Sequence, residues 1–456
     1  MGGGAISISY DVEESKYTNI YVNNCTFKSV SSKGNQRGRG AIYFNSLGRT
    51  LEVKKSKFVD TYTRNTNQVG GVIYVNYHSR YKGFYIIDCE FENTRSNYGG
   101  ALYVHWSTSS TTDITIRGCT FRKTYAYTDS NSIRLVSCHQ NNSYINNNKF
   151  IGRCRREGYY STFVIYLDVQ RLYFNYNQII FSKETEGCGC VQLNTILEHT
   201  FNGNLFQNAR YSTSYAATGK NFNNFYSYST LNILNNTFKQ IQGNNNGRWI
   251  YINAITNGNS NAVAFRNNTF EDCPEGGILI RFYFSSTIRQ YTVESYRFIR
   301  NKVNGYCVSQ LYIENVNTLI YSGCYLENNM NTANNGGAIR YSNNANLVKI
   351  LKWQFYDNKA KNNGSAISFQ STPWSGSIFA NHASVSRDMI ILQCFFDNNT
   401  AYVYGTAISF KGNLGCSISD CNFSRSTCIT GSGAIYLEFQ STDKMSQLIN
   451  AILMTI

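Results

Sequence analysis

An aromatic or aliphatic residue recurs about every 30 residues along this chain, and that spacing limits the fold to a repeat architecture. The anchors are Phe27, Phe58, Phe91, Phe121, Phe150, Ile179, Phe206, Phe238, Phe270, Phe298, Leu326, Phe355, Phe395 and Phe423, with one longer gap before Phe395. Five residues upstream stand Val22, Val53, Ile86, Ile116, Ile145, Phe174, Phe201, Ile233, Phe265, Val293, Tyr321, Ile350, Ile390 and Ile418. All are aliphatic or aromatic, and most favour strands. Seven upstream the residue is again usually apolar, as at Ile20, Leu51, Phe84, Ile114, Leu172, Leu231, Val263 and Val348.

The offsets carry geometry. Residues seven and five before the anchor share one face of a strand. The anchor and the residue two before it share a face with each other, but lie an odd number of positions from the first pair. An unbroken strand would turn one pair outward, so a bend between them is required. A further strand follows small-residue corners such as Gly40-Ala41-Ile42, Gly70-Gly71-Val72-Ile73, Gly99-Gly100-Ala101-Leu102 and Gly433-Ala434-Ile435. Glycine supplies corner torsions, and alanine fits where coils pack closely. The same signature stands at Gly336-Gly337-Ala338-Ile339 and Gly364-Ser365-Ala366-Ile367.

Three short strands per unit make one coil of a solenoid. The fold expected is all-β: a right-handed parallel β-helix of about fourteen rungs. One domain is expected over 1–445, with 446–456 as a short apolar tail. Helical solenoids are excluded because the segments are short, β-branched and interrupted by Asn rather than periodic at helical spacing. With only two prolines, turns fall to Asn and Gly.

Two residues before each anchor the column reads Cys25, Ser56, Cys89, Cys119, Asn148, Asn177, Asn204, Asn236, Asn268, Tyr296, Cys324, Trp353, Gln393 and Cys421. The consecutive asparagines Asn148, Asn177, Asn204, Asn236 and Asn268 are expected to form an internal amide ladder, each satisfying the next. Cys89 and Cys119 fall on adjacent rungs. Parallel neighbours rarely present disulfide torsions, so buried free thiols are expected.

The Gly-Gly-Ala-Ile corners alternate with Phe-x-x-Asn segments: Phe298-Ile-Arg-Asn301, Phe355-Tyr-Asp-Asn358 and Phe395-Phe-Asp-Asn398. This alternation resembles the paired tetrapeptides of chlamydial-type polymorphic outer-membrane proteins, and most closely the protozoan surface families that share them. The resemblance covers most of the chain and is clearest over 1–125 and 325–440. It implies a right-handed parallel β-helix displayed on a cell surface for adhesion or antigenic variation, and supplies no catalytic residues. The sequence departs from that pattern in lacking a signal peptide, a C-terminal membrane barrel and a transmembrane helix.

The formal charge of +15 suits an anionic partner such as an acidic glycan or an anionic host surface. The basic residues are scattered, with the densest group at Lys149, Arg153, Arg155 and Arg156. No nucleic-acid motif accompanies them. Fourteen cysteines include no Cys-x-x-Cys, and Cys188 and Cys190 are too close for a zinc pair. No metal, cofactor or catalytic site is expected. His199 falls seven before an anchor, a core position rather than that of a base.

The rival class is a polysaccharide lyase or hydrolase on the same scaffold. Its best carboxylate pair is Asp357 with Asp397, each two residues after an anchor, where in-register stacking would bring them about 5 Å apart. The insertion before Phe395, with Trp374, His382 and Arg387, would overhang that face. Asx-turn chemistry accounts for the same aspartates without catalysis. The function expected is therefore that of a noncatalytic surface-type repeat protein for adhesion, interaction or display. Because the chain enters mid-coil at Gly3 and ends in the apolar run Leu448–Ile456, it is expected to be a piece of a longer secreted or surface protein. That run would open a membrane anchor.

Overall fold

Where both corners are described, most coils are bent twice, each time by a single residue in the left-handed region. In the coil anchored by Phe58, Thr50–Lys54 is a strand, Lys55 turns the chain at φ 47°, and Lys57–Val59 forms the next strand. Asp60 then turns it again at φ 51°, and Tyr62–Thr63 continues. The same torsions recur at Asp88 and Asn93, at Asn267 and Asp272, and at Lys352 and Asp357. One such residue between extended neighbours resets which way the next side chain points. Val53, Ser56 and Phe58 are consequently all buried although their spacing mixes odd and even steps. This is the bend that the offsets require.

The structure, a computed structural model, describes residues 4–9, 19–32, 40–46, 50–63, 71–77, 83–106, 113–129, 132–152, 163–181, 189–209, 221–227, 230–242, 248–255, 263–274, 278–283, 288–303, 311–314, 316–332, 339–341, 347–361, 367–370, 387–412, 414–431, 433–439, 447–449 and 452–453. They fall into two compact units, Met1–Leu231 and Asn232–Ile456. Among the described residues there is no helix.

In the first unit the anchor strands pair parallel and in register, Phe27 to Phe58, Phe91, Phe121, Phe150, Ile179 and Phe206 in turn. The phenylalanine rings stack face to face at 4.7 to 5.0 Å, so each core layer touches the next with its largest apolar surface. In the second unit the series runs Phe238, Phe270, Phe298, Leu326, Phe355, Phe396, Phe423 and Leu453. The chain is a parallel β-solenoid, as the repeat predicts.

Three details differ from the sequence expectation. The anchor after the insertion is Phe396, not Phe395: Phe355 pairs with Phe396, and their rings stack at 4.8 Å. The inward column there is accordingly Ile391 and Cys394, both buried, while Gln393 is the left-handed corner residue. Within the stretch 446–456 the described residues, Gln447–Ile449 and Ile452–Leu453, are strand. Gln447–Ile449 pairs with the strand Leu414–Ser419, and Leu453 pairs with Phe423, so these strands stack on the coil of Phe423. Finally, a coil holds four strand segments rather than three, as in Thr50–Lys54, Lys57–Val59, Tyr62–Thr63 and Ile73–Tyr77. Where the corner is lost, two segments fuse into the long strands Ile133–Asn146, Phe163–Asn175 and Gly189–Asn202.

The glycine corners are sterically obligatory at Gly40, where an added Cβ would lie 2.1 Å from the carbonyl oxygen of Gly71. Ala41, Val72 and Ala101 follow as buried small or branched residues. The corners over 336–338 and 364–366 lie outside the described residues.

Candidate functional site

The inner polar columns come first, because they decide which polar residues face a ligand. Asn148 donates its side-chain amide to Asn177 Oδ1 at 3.1 Å and its backbone N–H to the same oxygen at 2.9 Å. Its second amide proton goes to the Ile116 carbonyl at 2.8 Å. Asn177 repeats the pattern toward Asn204, and Asn236 donates both groups to Asn268. All five asparagines are buried. Their amides are occupied along the stack, which makes the column a structural element.

A second ladder stands three residues after the anchors, where the sequence analysis placed none. Asn301 donates to Asn329, Asn329 to Asn358 and Asn358 to Asn399, at 3.1, 3.0 and 3.2 Å. Cys273 starts the series with its backbone N–H on Asn301 Oδ1. The signal was the Asn of the Phe-x-x-Asn segments, recognised as a motif but not as a column. With Phe396 as anchor the motif ends at Asn399, which lies in that column, rather than at Asn398.

The shift to Phe396 also takes the two aspartates out of register, although they stay neighbours, the Asp357 backbone N–H donating to the Asp397 carbonyl at 3.1 Å. Asp397 pairs in register with Tyr356, and Asp357 sits at the left-handed corner beyond it. Asp357 accepts from the side-chain amide of Asn398. Asp397 accepts from Ser424 Oγ at 2.8 Å and from Arg425, whose Nε lies 2.8 Å away. The Arg425 guanidinium holds the Asp397 carboxyl below its ordinary range, against the opposing effect of burial. The two carboxylates are therefore not equivalent positions of successive coils, and Asp397 has no proton to donate near neutral pH.

Other chemistry-bearing side chains are likewise spoken for. Burial pushes His199 down to about 3, as suits the core position its offset predicts. Eleven described cysteines are free thiols, nine of them buried, and burial pushes Cys273, Cys324 and Cys416 up to about 12. Among the described residues no three His, Cys, Asp or Glu side chains group to hold a metal ion. No helix among them is long and apolar enough to cross a membrane. Arg153, Arg155, Arg156, Trp374 and His382 lie outside the described residues.

What faces outward is most of the residues flanking the anchors, the buried Asp397 beside Phe396 being an exception. In the second unit these build an aromatic strip: Tyr325 and Tyr356 rings lie 5.5 Å apart, and Tyr356 and Phe395 rings 5.4 Å. Each ring is part-exposed. Tyr325 and Phe395 sit just before their anchors and Tyr356 just after its own, so the three zigzag across successive coils. Arg297 lies over the Tyr325 ring at 5.3 Å and closes one end. Gln354 is exposed between Tyr325 and Phe395, and Glu327 accepts the Tyr325 hydroxyl at 3.1 Å. Burial, and then that carboxylate, raise the Tyr325 phenol. A smaller patch of exposed Tyr402, Tyr404 and Ile429 includes a stack of Tyr404 on Tyr436 at 4.6 Å.

Charged side chains on the outer faces meet across coils. Lys57 pairs with Glu90 at 3.0 Å, Arg266 with Glu294 at 3.1 Å, and Arg300 with Asp272 at 2.7 Å. Positive charge is thus partly matched by acid one coil away. Among the described residues, tyrosines divide between core positions such as Tyr291, Tyr296 and Tyr321 and outward ones such as Tyr21, Tyr325 and Tyr356.

Compared with protein-family models the chain finds no match, and none of the curated proteins compared with it matches.

Proposed function

We propose that this protein is a noncatalytic interaction scaffold, a surface-type β-solenoid that serves adhesion or display through the outer faces of its coils. The observation that carries the reading is the aromatic strip of Tyr325, Tyr356 and Phe395, held part-exposed on a rigid parallel sheet. Aromatic residues supply large contact area with little rotamer freedom to lose, which suits recognition more than turnover. The strongest carboxylate candidate for a polysaccharide-active enzyme, Asp397, is tied to Arg425 and Ser424, which favours the noncatalytic reading. Glycans or a host surface are the partners this reading names, with acidic glycans drawn by the overall positive charge.

A glycan and cell-surface binding screen at physiological salt tests the proposal. Binding without product formation is the expected result. Turnover of a polysaccharide, lost in Asp357→Asn or Asp397→Asn, would replace it with the enzyme reading.

A further inference from the structure

We infer that Tyr325, Tyr356 and Phe395 form a binding site for a neutral polysaccharide chain laid along the direction in which the coils stack. The inference rests on the interaction role proposed above and names its ligand class and its residues.

The first argument is periodicity. Rings on consecutive coils lie 5.5 and 5.4 Å apart, close to the step between stacked strands. A polymer of linked pyranose rings has a repeat of similar length, so each sugar meets one aromatic side chain. Neighbouring rings are tilted by 43° and 45°, which a chain twisting from residue to residue can follow. The weakly positive C–H face of a sugar packs on the negative face of an aromatic ring by the same electrostatics that orients aromatic pairs; Arg297 already lies over the Tyr325 ring, so Tyr356 and Phe395 carry this contact.

The second argument is the rim. Gln354 offers both an amide donor and an acceptor, Glu327 offers acceptors, and Arg297 offers donors. Hydroxyl groups, which donate and accept, match this mixture better than a ligand of one sign. The third argument is charge. Arg297 and Glu327 cancel at one end, and Asp397 is neutralised by Arg425 at the other. An acidic polymer would gain no net attraction here and would approach the Glu327 carboxylate. The overall positive charge of the chain is therefore not what this strip uses.

The test is calorimetric titration of the full chain with cellohexaose, laminarihexaose and mannohexaose, with oligogalacturonate as the acidic arm. Wild type is expected to bind at least one neutral hexasaccharide, with an affinity that molar sodium chloride leaves nearly unchanged. Tyr356→Ala and Phe395→Ala should each weaken it by about tenfold or more, as for a contact at the centre of a binding site. Tyr356→Phe, which keeps the ring, and Tyr21→Ala, an exposed tyrosine of the other unit, should leave it unchanged. Thermal melts of each variant show that it folds, and two independent ring deletions guard against one that does not. The inference is overturned by absence of neutral-glycan binding, by alanine variants that bind as wild type does, or by binding confined to the acidic arm and lost in salt. Capture of a protein partner through the same rings, without sugar binding, overturns it equally. If glycans or cells are bound but neither alanine variant weakens them, the strip is wrong while the interaction role stands. If nothing is bound in either screen, the interaction role itself fails.

Discussion

Asn329 places both its backbone N–H and its side-chain amide on one oxygen, Asn358 Oδ1, at 3.1 and 3.0 Å. Its remaining amide proton goes to the Phe298 carbonyl at 2.9 Å, so every donor at this buried position is satisfied. The arrangement needs a donor and an acceptor on the same side chain. Asn329→Asp would set a carboxylate oxygen against two acceptors, Asn358 Oδ1 and the Phe298 carbonyl. A loss of about 3 kcal/mol is expected at neutral pH, against about 1 kcal/mol for Asn329→Ser, whose hydroxyl keeps part of the network. Because the buried acid's folded pKa would be raised, the penalty should shrink as pH falls. Denaturant curves at several pH values check this. An Asp variant as stable as wild type at pH 7 would place the column in water.

His199 gives a second pH signature. It pairs in register with Leu172 and is fully buried, and burial lowers its pKa to about 3. The unfolded chain takes up a proton near pH 6.5 while the folded chain does not until about 3, so stability is lost as pH falls through that window. The slope contributed is about 1.4 kcal/mol per pH unit. His199→Leu, which copies the neighbouring coil, should remove this slope while leaving stability at pH 8 close to that of wild type. The check is the difference between the two unfolding free energies from pH 4 to 8.

The thiols separate by depth. Cys25 and Cys428 are partly exposed, whereas Cys89, Cys119, Cys138, Cys190, Cys273, Cys324, Cys394, Cys416 and Cys421 are buried. Reactivity requires a thiolate that reagent can reach; access fails for all nine buried thiols, and burial also pushes Cys138, Cys190, Cys273, Cys324 and Cys416 up. Alkylation of the native protein followed by peptide mapping should mark Cys25 and Cys428 and leave the nine buried thiols unmodified until denaturant is added. Rapid native labelling of Cys119 or Cys273 would contradict the burial described.

The sequence carried the coil and its inward columns because burial imposes the same residue class at the same offset in coil after coil. It carried the bends by parity alone, since Val53 and Ser56 cannot share the interior of an unbroken strand. It failed at Phe395-Phe396 for a local reason. Both residues are phenylalanine, both Ile390 and Ile391 stand upstream, and the preceding insertion removes the spacing that would choose between them. Cys394, in the column of Cys324 and Cys421, and Asn399, in that of Asn358, were the signals that could have settled the register. The outward strip was illegible for the same reason. The offsets put Tyr321 in the core and Tyr325 and Tyr356 beside anchors, but with Phe395 taken as an anchor the third ring of the strip was counted as core.

That register is tested most directly by the unfolding free energies of Phe395→Ala and Phe396→Ala, measured side by side in denaturant. Phe396 is fully buried between Phe355 and Phe423, with rings at 4.8 and 4.7 Å, so its truncation should cost about 3–5 kcal/mol. Phe395 faces outward beside Tyr356, and its truncation should cost about 1 kcal/mol or less. Equal losses, or a larger loss at Phe395, would contradict both the stacking of the coils and the outward placement of the aromatic strip.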